Sequence, residues 1–143
     1  MVRFKSHFLE RMNVHASEAY PDECCGVLLG NVRGGAKEIY DVLELDNSSE
    51  ENRARRFFIG PEEYRQAEQR AEEKGMEVLG LYHSHPDHPA RPSQFDLEHA
   101  FPWWSYVIIG VERGKPVAVS SWLLQEDRLG FKEEQLVITE RLE

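Results

Sequence analysis

The most restrictive feature of this sequence is an apolar run that ends in two closely spaced histidines. Val78 to Tyr82 reads VLGLY and leads directly into His83, Ser84 and His85. A short apolar run that follows a glycine is typical of a buried strand. Because side chains on a strand alternate between its faces, His83 and His85 leave the same face. The chain must therefore fold so that a buried strand presents two imidazoles at its carboxyl end.

A carboxylate follows the two histidines at a distance that suits a metal site. Asp96 lies beyond a proline-rich loop, on the first turn of a helix predicted for Ser93 to Ala100. Catalytic zinc typically has three protein ligands and an open position for water, so His83, His85 and Asp96 favour a catalytic site over a closed structural one. The spacing of Ser93 and Asp96 equally fits a helix cap, an alternative that leaves the histidines unexplained.

Other residues of metal-binding or nucleophilic type receive no role. Cys24 and Cys25 are adjacent in sequence, so a bridge between them would be strained, and the chain has no further cysteine. Neither has an identifiable basic partner, so neither is predicted to be a nucleophile. The remaining histidines are predicted to be surface, loop or helix-surface residues: His7, His15, His88 and His99.

Length, charge and hydropathy exclude several classes of protein. The 143 residues, 41% of them hydrophobic, suit a single domain over residues 1–143. A net charge of -9 argues against a nucleic-acid partner, because such binding rests on clustered Lys and Arg. No apolar run reaches the roughly 18 to 20 residues that a membrane span needs. Met1 to Arg11 lacks a signal-peptide core, so we expect a cytoplasmic protein with no membrane partner.

The pattern along the whole chain predicts a mixed α/β domain with a mainly antiparallel sheet flanked by about three helices. Val2 to Phe4 is expected to start an edge strand, and Asp46 to Arg56 to form a polar loop. Helices are predicted at Phe8 to Ala19, Glu62 to Lys74 and Ser93 to Ala100. Further strands are predicted at Cys25 to Leu29, Ile39 to Leu45, Phe57 to Ile59, Val78 to Tyr82, Tyr106 to Val111, Val117 to Leu124 and Phe131 to Thr139.

The histidine segment resembles the motif of the JAMM metalloprotease family, also called MPN or Mov34/PAD-1. That motif is an upstream Glu followed by H-[ST]-H-x7-S-x2-D. Its positions are filled here by Glu23, His83, Ser84, His85, Ser93 and Asp96. The ECCGVLLG segment from Glu23 to Gly30 resembles the family as well. The resemblance implies a cytidine-deaminase-like α/β fold of the short, free-standing prokaryotic type.

The resemblance also implies a chemistry for each motif residue. One catalytic zinc ion would lower the pKa of its bound water to about 7 and would be held by His83, His85 and Asp96. Glu23, which the sequence alone does not distinguish among 26 acidic residues, would take the water's proton and pass it to the leaving amine. Ser93 would donate a hydrogen bond to the oxyanion. Ser84 should point to the opposite face and be structural.

Members that resemble this chain cleave peptide or isopeptide bonds after the Gly-Gly tail of ubiquitin-like proteins or of ThiS- and MoaD-like sulfur carriers. Such a carrier is therefore the expected partner. Its tail would add as a strand along an edge near the Asp46 to Arg56 loop and the strand after it. Arg53, Arg55 and Arg56 are expected to be solvated, and contact with an acidic patch or carboxylate of the partner is the alternative. Two alternatives stay open: a metal-free scaffold that only binds its partner, and a zinc amidase or peptidase for small substrates.

Overall fold

The computed structural model describes residues 1–47, 49, 52–54 and 56–140. In these ranges the chain forms three helices, α1 Ser6–Ala19, α2 Pro61–Glu73 and α3 Gln94–Glu98. The strands are β1 Val2–Lys5, β2 Cys25–Arg33, β3 Ala36–Leu45, β4 Glu77–Pro86, β5 Ser105–Glu112, β6 Lys115–Leu124, β7 Phe131–Glu134 and β8 Leu136–Thr139. The predicted mixed α/β fold with about three helices is confirmed, whereas the cytidine-deaminase-like relationship stays a prediction.

The described strands form one sheet in the order β7-β6-β5-β4-β2-β3-β1-β8. β4 runs parallel to β5, and β1 runs parallel to both β3 and β8, while the other neighbours are antiparallel. Only Gln135 separates β7 from β8, yet these two strands lie at opposite ends of that order. The last ribbon of the chain therefore brings the two ends of the sheet together, and the sheet is nearly closed.

The two longer helices cover opposite faces of the sheet. In α1 the residues Phe8, Met12 and Ala16 recur every fourth position and are buried with the core around Leu28 and Val107. The short side chains Ala67 and Ala71 of α2 pack on the other face with a second set of core residues: Val27, Leu29, Leu81 and Tyr106. Because Leu81, His83 and His85 alternate along β4, both histidines belong to the α2 face.

Tight turns form the two predicted hairpins. Gly34 and Gly35 join β2 to β3 with φ values of 58° and 80°. Arg113 and Gly114 join β5 to β6 with φ values of 50° and 84°. These positive φ values are the left-handed conformations that two-residue hairpin turns require, which is why glycine stands at three of the four positions.

Four expectations from the sequence are wrong in detail. Phe57 to Ile59 is not a strand, and the Phe58 N–H donates instead to the Asn47 Oδ1 atom at 3.2 Å. The predicted tail-binding strand is therefore absent from this described segment. β1 is not an edge strand, because it lies between β3 and β8. The final predicted strand is two strands that break at Gln135.

His15 is the fourth correction, because it is not simply a helix-surface residue. It is half-buried, and its Nδ1 atom lies 2.7 Å from the hydroxyl oxygen of the fully buried Tyr82. Burial lowers the pKa of His15 below its usual value, against the opposing charges of Glu44, Glu18 and Asp46. Separately, no helix in the described ranges is long and apolar enough to cross a membrane.

Candidate metal centre

The two motif histidines are held by the centre of the sheet. His83 pairs with Cys25 of β2 on one side and with Ile108 of β5 on the other. His85 lies two residues further along β4, opposite Gly110. Both imidazoles have no solvent exposure. Strands paired on both sides fix the backbone beneath these rings, so the rings occupy defined positions.

Asp96 completes the convergence that the sequence predicted. Its Oδ2 atom lies 3.2 Å from the Nε2 atom of His83 and 3.2 Å from the Nε2 atom of His85. The same oxygen accepts a hydrogen bond from the Ser93 N–H at 2.9 Å, and the Ser93 hydroxyl accepts one from the Asp96 N–H at 3.1 Å. The helix-cap alternative is thus also correct, because the capping box holds the carboxylate beside both imidazoles.

The environment of Asp96 favours its ionised form. Burial by itself would raise the pKa of this carboxyl group. The charge and hydrogen bond of His83, the hydrogen bond of His85 and the Ser93 N–H outweigh burial and hold the pKa of Asp96 below its ordinary value. An anionic oxygen between two ring nitrogens is therefore available as a ligand.

Glu23 approaches the histidines from the segment just before β2. Glu23 is 2% exposed. One of its carboxylate oxygens, one ring nitrogen of His83 and one ring nitrogen of His85 all lie within 4.8 Å of one another. Two contacts hold its backbone: the Glu23 N–H donates to the Arg53 carbonyl at 2.7 Å, and the Asn47 side chain donates to the Glu23 carbonyl at 3.0 Å. The motif residues from three segments thus meet in one buried place.

Ser84 lies between the two histidines and points to the other face of β4, as predicted. Its hydroxyl accepts a hydrogen bond from the Cys24 N–H at 2.8 Å, and its own N–H donates to the Cys24 carbonyl at 3.2 Å. Both bonds are made to the residue next to Glu23. Ser84 therefore ties the strand that carries the histidines to the segment that carries the carboxylate.

Partners of the rings define which nitrogen atoms face the centre. His85 Nδ1 lies 2.8 Å from the Pro89 carbonyl oxygen, to which only an N–H can donate, so a neutral His85 would have its lone pair on Nε2, the atom that faces Asp96. His83 stacks on Phe57 with ring centroids 4.6 Å apart. The buried Nδ1 atom of His83 has no hydrogen-bond partner among the described residues.

The donor set fits a divalent metal ion. Two imidazole nitrogens and carboxylate oxygens are the ligand types of catalytic zinc sites, and here they are buried close together. Buried carboxylates need a compensating positive charge, which a cation supplies. The residues predicted as ligands and as the base, His83, His85, Asp96 and Glu23, are therefore brought together, while their separate roles remain proposals.

The cysteines lie beside the centre without the character of nucleophiles. Cys24 and Cys25 are both buried and carry free thiols. Burial raises the pKa of the Cys24 thiol to about 12 and raises that of Cys25 further above its usual value. At neutral pH both thiols are protonated, and a thiol is a far weaker nucleophile than a thiolate.

The two histidines nearest the motif also have local partners. His88 is half-buried, stacks on His85 with ring centroids 4.1 Å apart, and directs its Nδ1 atom to the Pro86 carbonyl. His99 is exposed and stacks on Phe95. His88 thus supports the outer side of the His85 ring. Of the predicted basic loop, Arg53 and Arg56 are exposed and Arg55 lies outside the described residues.

A pocket beside the metal centre was not foreseen from the sequence. It has a volume of about 430 Å³, and we call it the aromatic chamber. Its aromatic walls come from four separate stretches of the chain: Phe57 and Phe58, Tyr64, Phe95, and Phe101 to Tyr106. No periodic pattern links these residues, so the sequence contained no signal for them. His83 and Asp96 form the wall nearest the centre.

A mixed α/β domain that gathers histidine and carboxylate donors beside an enclosed pocket has the form of a metal-dependent hydrolase. The family model for prokaryotic homologs of the JAB domain matches residues 5–125. The desampylase of Pyrococcus furiosus is 33% identical over 104 residues, which are 73% of this chain and 68% of the relative. The "Probable TtuB-protein conjugate cleaving protease" of Thermus thermophilus is 30% identical over 118 residues, 82% of this chain and 72% of the relative.

A solved structure shares the fold of this chain along its whole length. The solution structure of protein DSY2949 from Desulfitobacterium hafniense matches with a TM-score of 0.86 and 36% sequence identity, and covers 100% of this chain and 96% of that one. The chain therefore belongs to the prokaryotic JAB-domain family, which confirms the resemblance to the JAMM/MPN metalloproteases. It is an enzyme, a protease or isopeptidase of the JAMM type.

Proposed function

We propose that this chain is a zinc-dependent protease that cleaves the peptide or isopeptide bond after the Gly-Gly tail of a ubiquitin-like or sulfur-carrier protein. The observation that carries the proposal is the contact of Asp96 Oδ2 with the Nε2 atoms of His83 and His85, at 3.2 Å each. The name of the Thermus relative, which describes cleavage of TtuB–protein conjugates, supports this choice of substrate.

His83, His85 and Asp96 are the proposed zinc ligands. When bound, zinc supplies Lewis acidity, which polarises a carbonyl group and lowers the pKa of a water to about 7. The chain contributes the orientation of the donors. The Pro89 carbonyl fixes the tautomer of His85, and the capping box fixes the carboxylate of Asp96. Preset donors reduce the cost of ordering the site when the ion enters.

Glu23 is the proposed general base and general acid. Its buried carboxylate lies close to the ring nitrogens of His83 and His85, within reach of a water that attacks the substrate carbonyl. Glu23 accepts a proton from that water and later delivers it to the nitrogen of the leaving amine. One carboxylate thus serves both proton transfers, and no second acid is required.

Ser93 is the proposed donor to the oxyanion. Its hydroxyl oxygen already accepts a hydrogen bond from the Asp96 N–H, and a hydroxyl group that accepts one bond still has its proton to donate. The cap therefore holds the oxygen in place and leaves the O–H available for the substrate. Loss of one such donor typically lowers the rate by about 100-fold or more.

The proposal is tested with a fusion in which a sulfur-carrier protein ending in Gly-Gly is joined to a reporter. Purified protein loaded with zinc should hold one ion per chain and cut the fusion after the second glycine, with the cut site read by mass spectrometry. A chelator should stop cleavage, and added zinc should restore it. Fusions that end in Ala-Ala are the matched control.

Two outcomes would contradict the proposal. Cleavage that survives complete removal of metal would exclude the zinc mechanism. A zinc-loaded protein that leaves every Gly-Gly fusion intact, while it binds the carrier or hydrolyses only short amides, would favour the scaffold or the small-substrate amidase instead. Rates on a folded fusion and on its isolated tail peptide separate these cases, because binding energy remote from the cut accelerates only a true substrate.

A further inference from the structure

The aromatic chamber is an apolar pocket that lies next to the metal centre. Besides His83 and Asp96, its walls consist almost entirely of apolar and aromatic side chains. They are Phe57, Phe58, Ile59, Pro61, Tyr64, Leu81, Phe95, His99, Phe101, Trp104 and Tyr106. Its volume of about 430 Å³ exceeds what glycine residues alone can fill.

The chemistry of these walls selects an uncharged, bulky group. Among the described lining residues the only carboxylate is Asp96, and neither lysine nor arginine is present. Tyr64 and Trp104 stack with ring centroids 5.5 Å apart, and the Tyr106 hydroxyl accepts a hydrogen bond from the Phe101 N–H at 2.7 Å. The Tyr106 hydroxyl keeps its own proton to donate, so it is a polar group within otherwise apolar walls. The Arg56 guanidinium lies over the Phe95 ring, 5.1 Å from its centroid, so the nearest described arginine packs behind a wall. An apolar side chain would gain aromatic contacts from the walls themselves.

The position of the aromatic chamber indicates which part of the substrate enters it. His83 and Asp96 line it, whereas Glu23 and His85 do not. In the proposed reaction Glu23 donates a proton to the leaving amine, so the amine lies on the Glu23 side of the centre. The acyl part of the substrate, which is the carrier's tail, then lies on the side of the aromatic chamber.

We propose that the aromatic chamber binds a bulky apolar side chain of the carrier's tail, carried by one of the two residues that precede the Gly-Gly end. This inference rests on the proposed function and defines its substrate class. Two glycines in extended form span about 7 Å, which places the next residue beyond the metal ligands and within the aromatic chamber. A leucine, isoleucine or aromatic residue suits the walls, and an acidic residue does not.

The rim of the aromatic chamber is apolar and accessible. Phe58 is 50% exposed and Phe101 is 57% exposed, and both line the pocket. Large aromatic side chains left half in water next to an enclosed apolar pocket are typical of a surface that receives a ligand. These two residues therefore offer sites for substitution that leave the interior of the fold intact.

The first experiment varies the tail in otherwise identical fusions. Each of the two positions before Gly-Gly is substituted in turn with Leu, Phe, Ala, Asp or Lys. The kcat/KM for cleavage of each fusion is then measured. We expect kcat/KM at one position to be at least about tenfold higher for the bulky apolar residues than for Asp or Ala. Equal values at both positions, or a preference for Asp, would overturn the inference. A preference that follows only the residue after the cut would overturn it as well.

A second experiment moves the specificity with a single charge. Phe101→Glu should lower kcat/KM for the Leu tail and raise it for the Lys tail relative to the unsubstituted protein. Val14→Glu is the matched control, because Val14 is also 57% exposed but lies on α1, away from the aromatic chamber. An unchanged ranking of tails in Phe101→Glu would contradict the inference.

A third readout does not depend on activity. Tail peptides ending in Leu-Gly-Gly and in Asp-Gly-Gly are titrated into metal-free protein while tryptophan fluorescence is followed. Only the Leu peptide should shift the emission, and Trp104→Phe should remove most of that shift. Binding of the Leu peptide without cleavage of any fusion would overturn the proposed function alone. Cleavage without discrimination between tails, and without a fluorescence shift, would overturn this inference alone.

Discussion

The carboxylate of Asp96 has two tasks at the residue scale, because one oxygen accepts from the Ser93 N–H and also faces both imidazoles. Asp96→Asn should therefore reduce zinc affinity by at least about tenfold, since a neutral amide is a weak ligand, while α3 keeps its cap. Competition with a fluorescent zinc chelator measures this affinity. Wild-type affinity in Asp96→Asn would exclude Asp96 as a ligand.

Glu23 is expected to affect catalysis and not metal content. Glu23→Gln preserves size and removes the proton acceptor, so zinc should remain at one ion per chain while kcat falls by roughly 100-fold or more. The contrasting variant is His83→Ala, which should lose the metal. Steady-state kinetics together with metal analysis by mass spectrometry separate the two effects, and an active Glu23→Gln protein would contradict the assigned role.

Ser84 is predicted to position Glu23 through the two hydrogen bonds with Cys24. Ser84→Ala removes the acceptor for the buried Cys24 N–H, which should lower kcat by about tenfold and leave zinc affinity unchanged. Ser84→Thr keeps the hydroxyl group and should restore most of the rate. Equal kcat losses in both variants would indicate a packing effect instead.

At the residue scale, the sequence was sufficient to predict side-chain positions that follow from local backbone geometry. The alternation of a strand was sufficient to bring His83 and His85 to one face, and a capping spacing placed Asp96 at a helix start. Glu23 has no local signal, because its approach depends on pairing between β2 and β4. The family motif alone identified it.

At the scale of elements, Lys37 of β3 secures the segment between α3 and β5. Its buried ammonium donates to the Trp103 carbonyl and to the Ser105 hydroxyl, the latter at 3.0 Å, and lies 4.3 Å from the centroid of the Trp103 ring. That segment also carries Phe101 and Trp104 of the aromatic chamber. β3, which is separated from β5 by β4 and β2 in the sheet, thus supports a wall of the aromatic chamber.

The ionisation of Lys37 predicts a pH effect on stability. Burial lowers its pKa from 10.5 to about 8, although Glu134 acts in the opposite direction. The unfolded chain therefore binds the Lys37 proton more tightly than the folded chain does. As the pH rises from about 8 to about 10.5, the folded chain no longer carries the buried charge, so the free energy of unfolding increases. The unfolding free energy of the protein, minus that of Lys37→Met, should rise by on the order of 1 to 3 kcal/mol across this range.

Urea denaturation at a series of pH values measures this difference. The exposed Lys115, substituted as Lys115→Met, serves as the control for loss of a lysine. Curves for the unsubstituted protein and Lys37→Met that run parallel from pH 7.5 to pH 10.5 would contradict the effect of burial.

Most elements were predictable because their periodicity is local, as in α1 with Phe8, Met12 and Ala16. The wrong predictions concern which segments of the chain contact one another. Phe57 to Ile59 has the composition of a strand, yet the Phe58 N–H donates to the Asn47 side chain and not to a neighbouring strand. The rings of Phe57 and Phe58 line the aromatic chamber. β1 resembles an edge strand in sequence, and only the return of β8 covers it.

For the molecule as a whole, the packing of β4 against β5 at the centre of the sheet requires a close backbone approach at Gly80. A side chain on Gly80 of β4 would overlap the carbonyl oxygen of Ser105 on β5, so Gly80→Ala should destabilise the fold by about 1 to 3 kcal/mol. Gly110 is the matched control on the neighbouring strand, because its nearest atom would lie at 3.4 Å, and Gly110→Ala should change stability by less than about 0.5 kcal/mol. Thermal unfolding compares the two, and equal losses would contradict this view of the sheet.

The ribbon of β7 and β8 shields two outer strands at once. β7 covers β6 and β8 covers β1, with one residue between them. A chain cut after Gly130 would expose the backbone donors and acceptors of β1 and β6 together, and unpaired edges of this kind recruit strands from other molecules. We therefore expect such a fragment to self-associate through the exposed edges of β1 and β6, and not only to fray at its ends. Light scattering during refolding would detect this association.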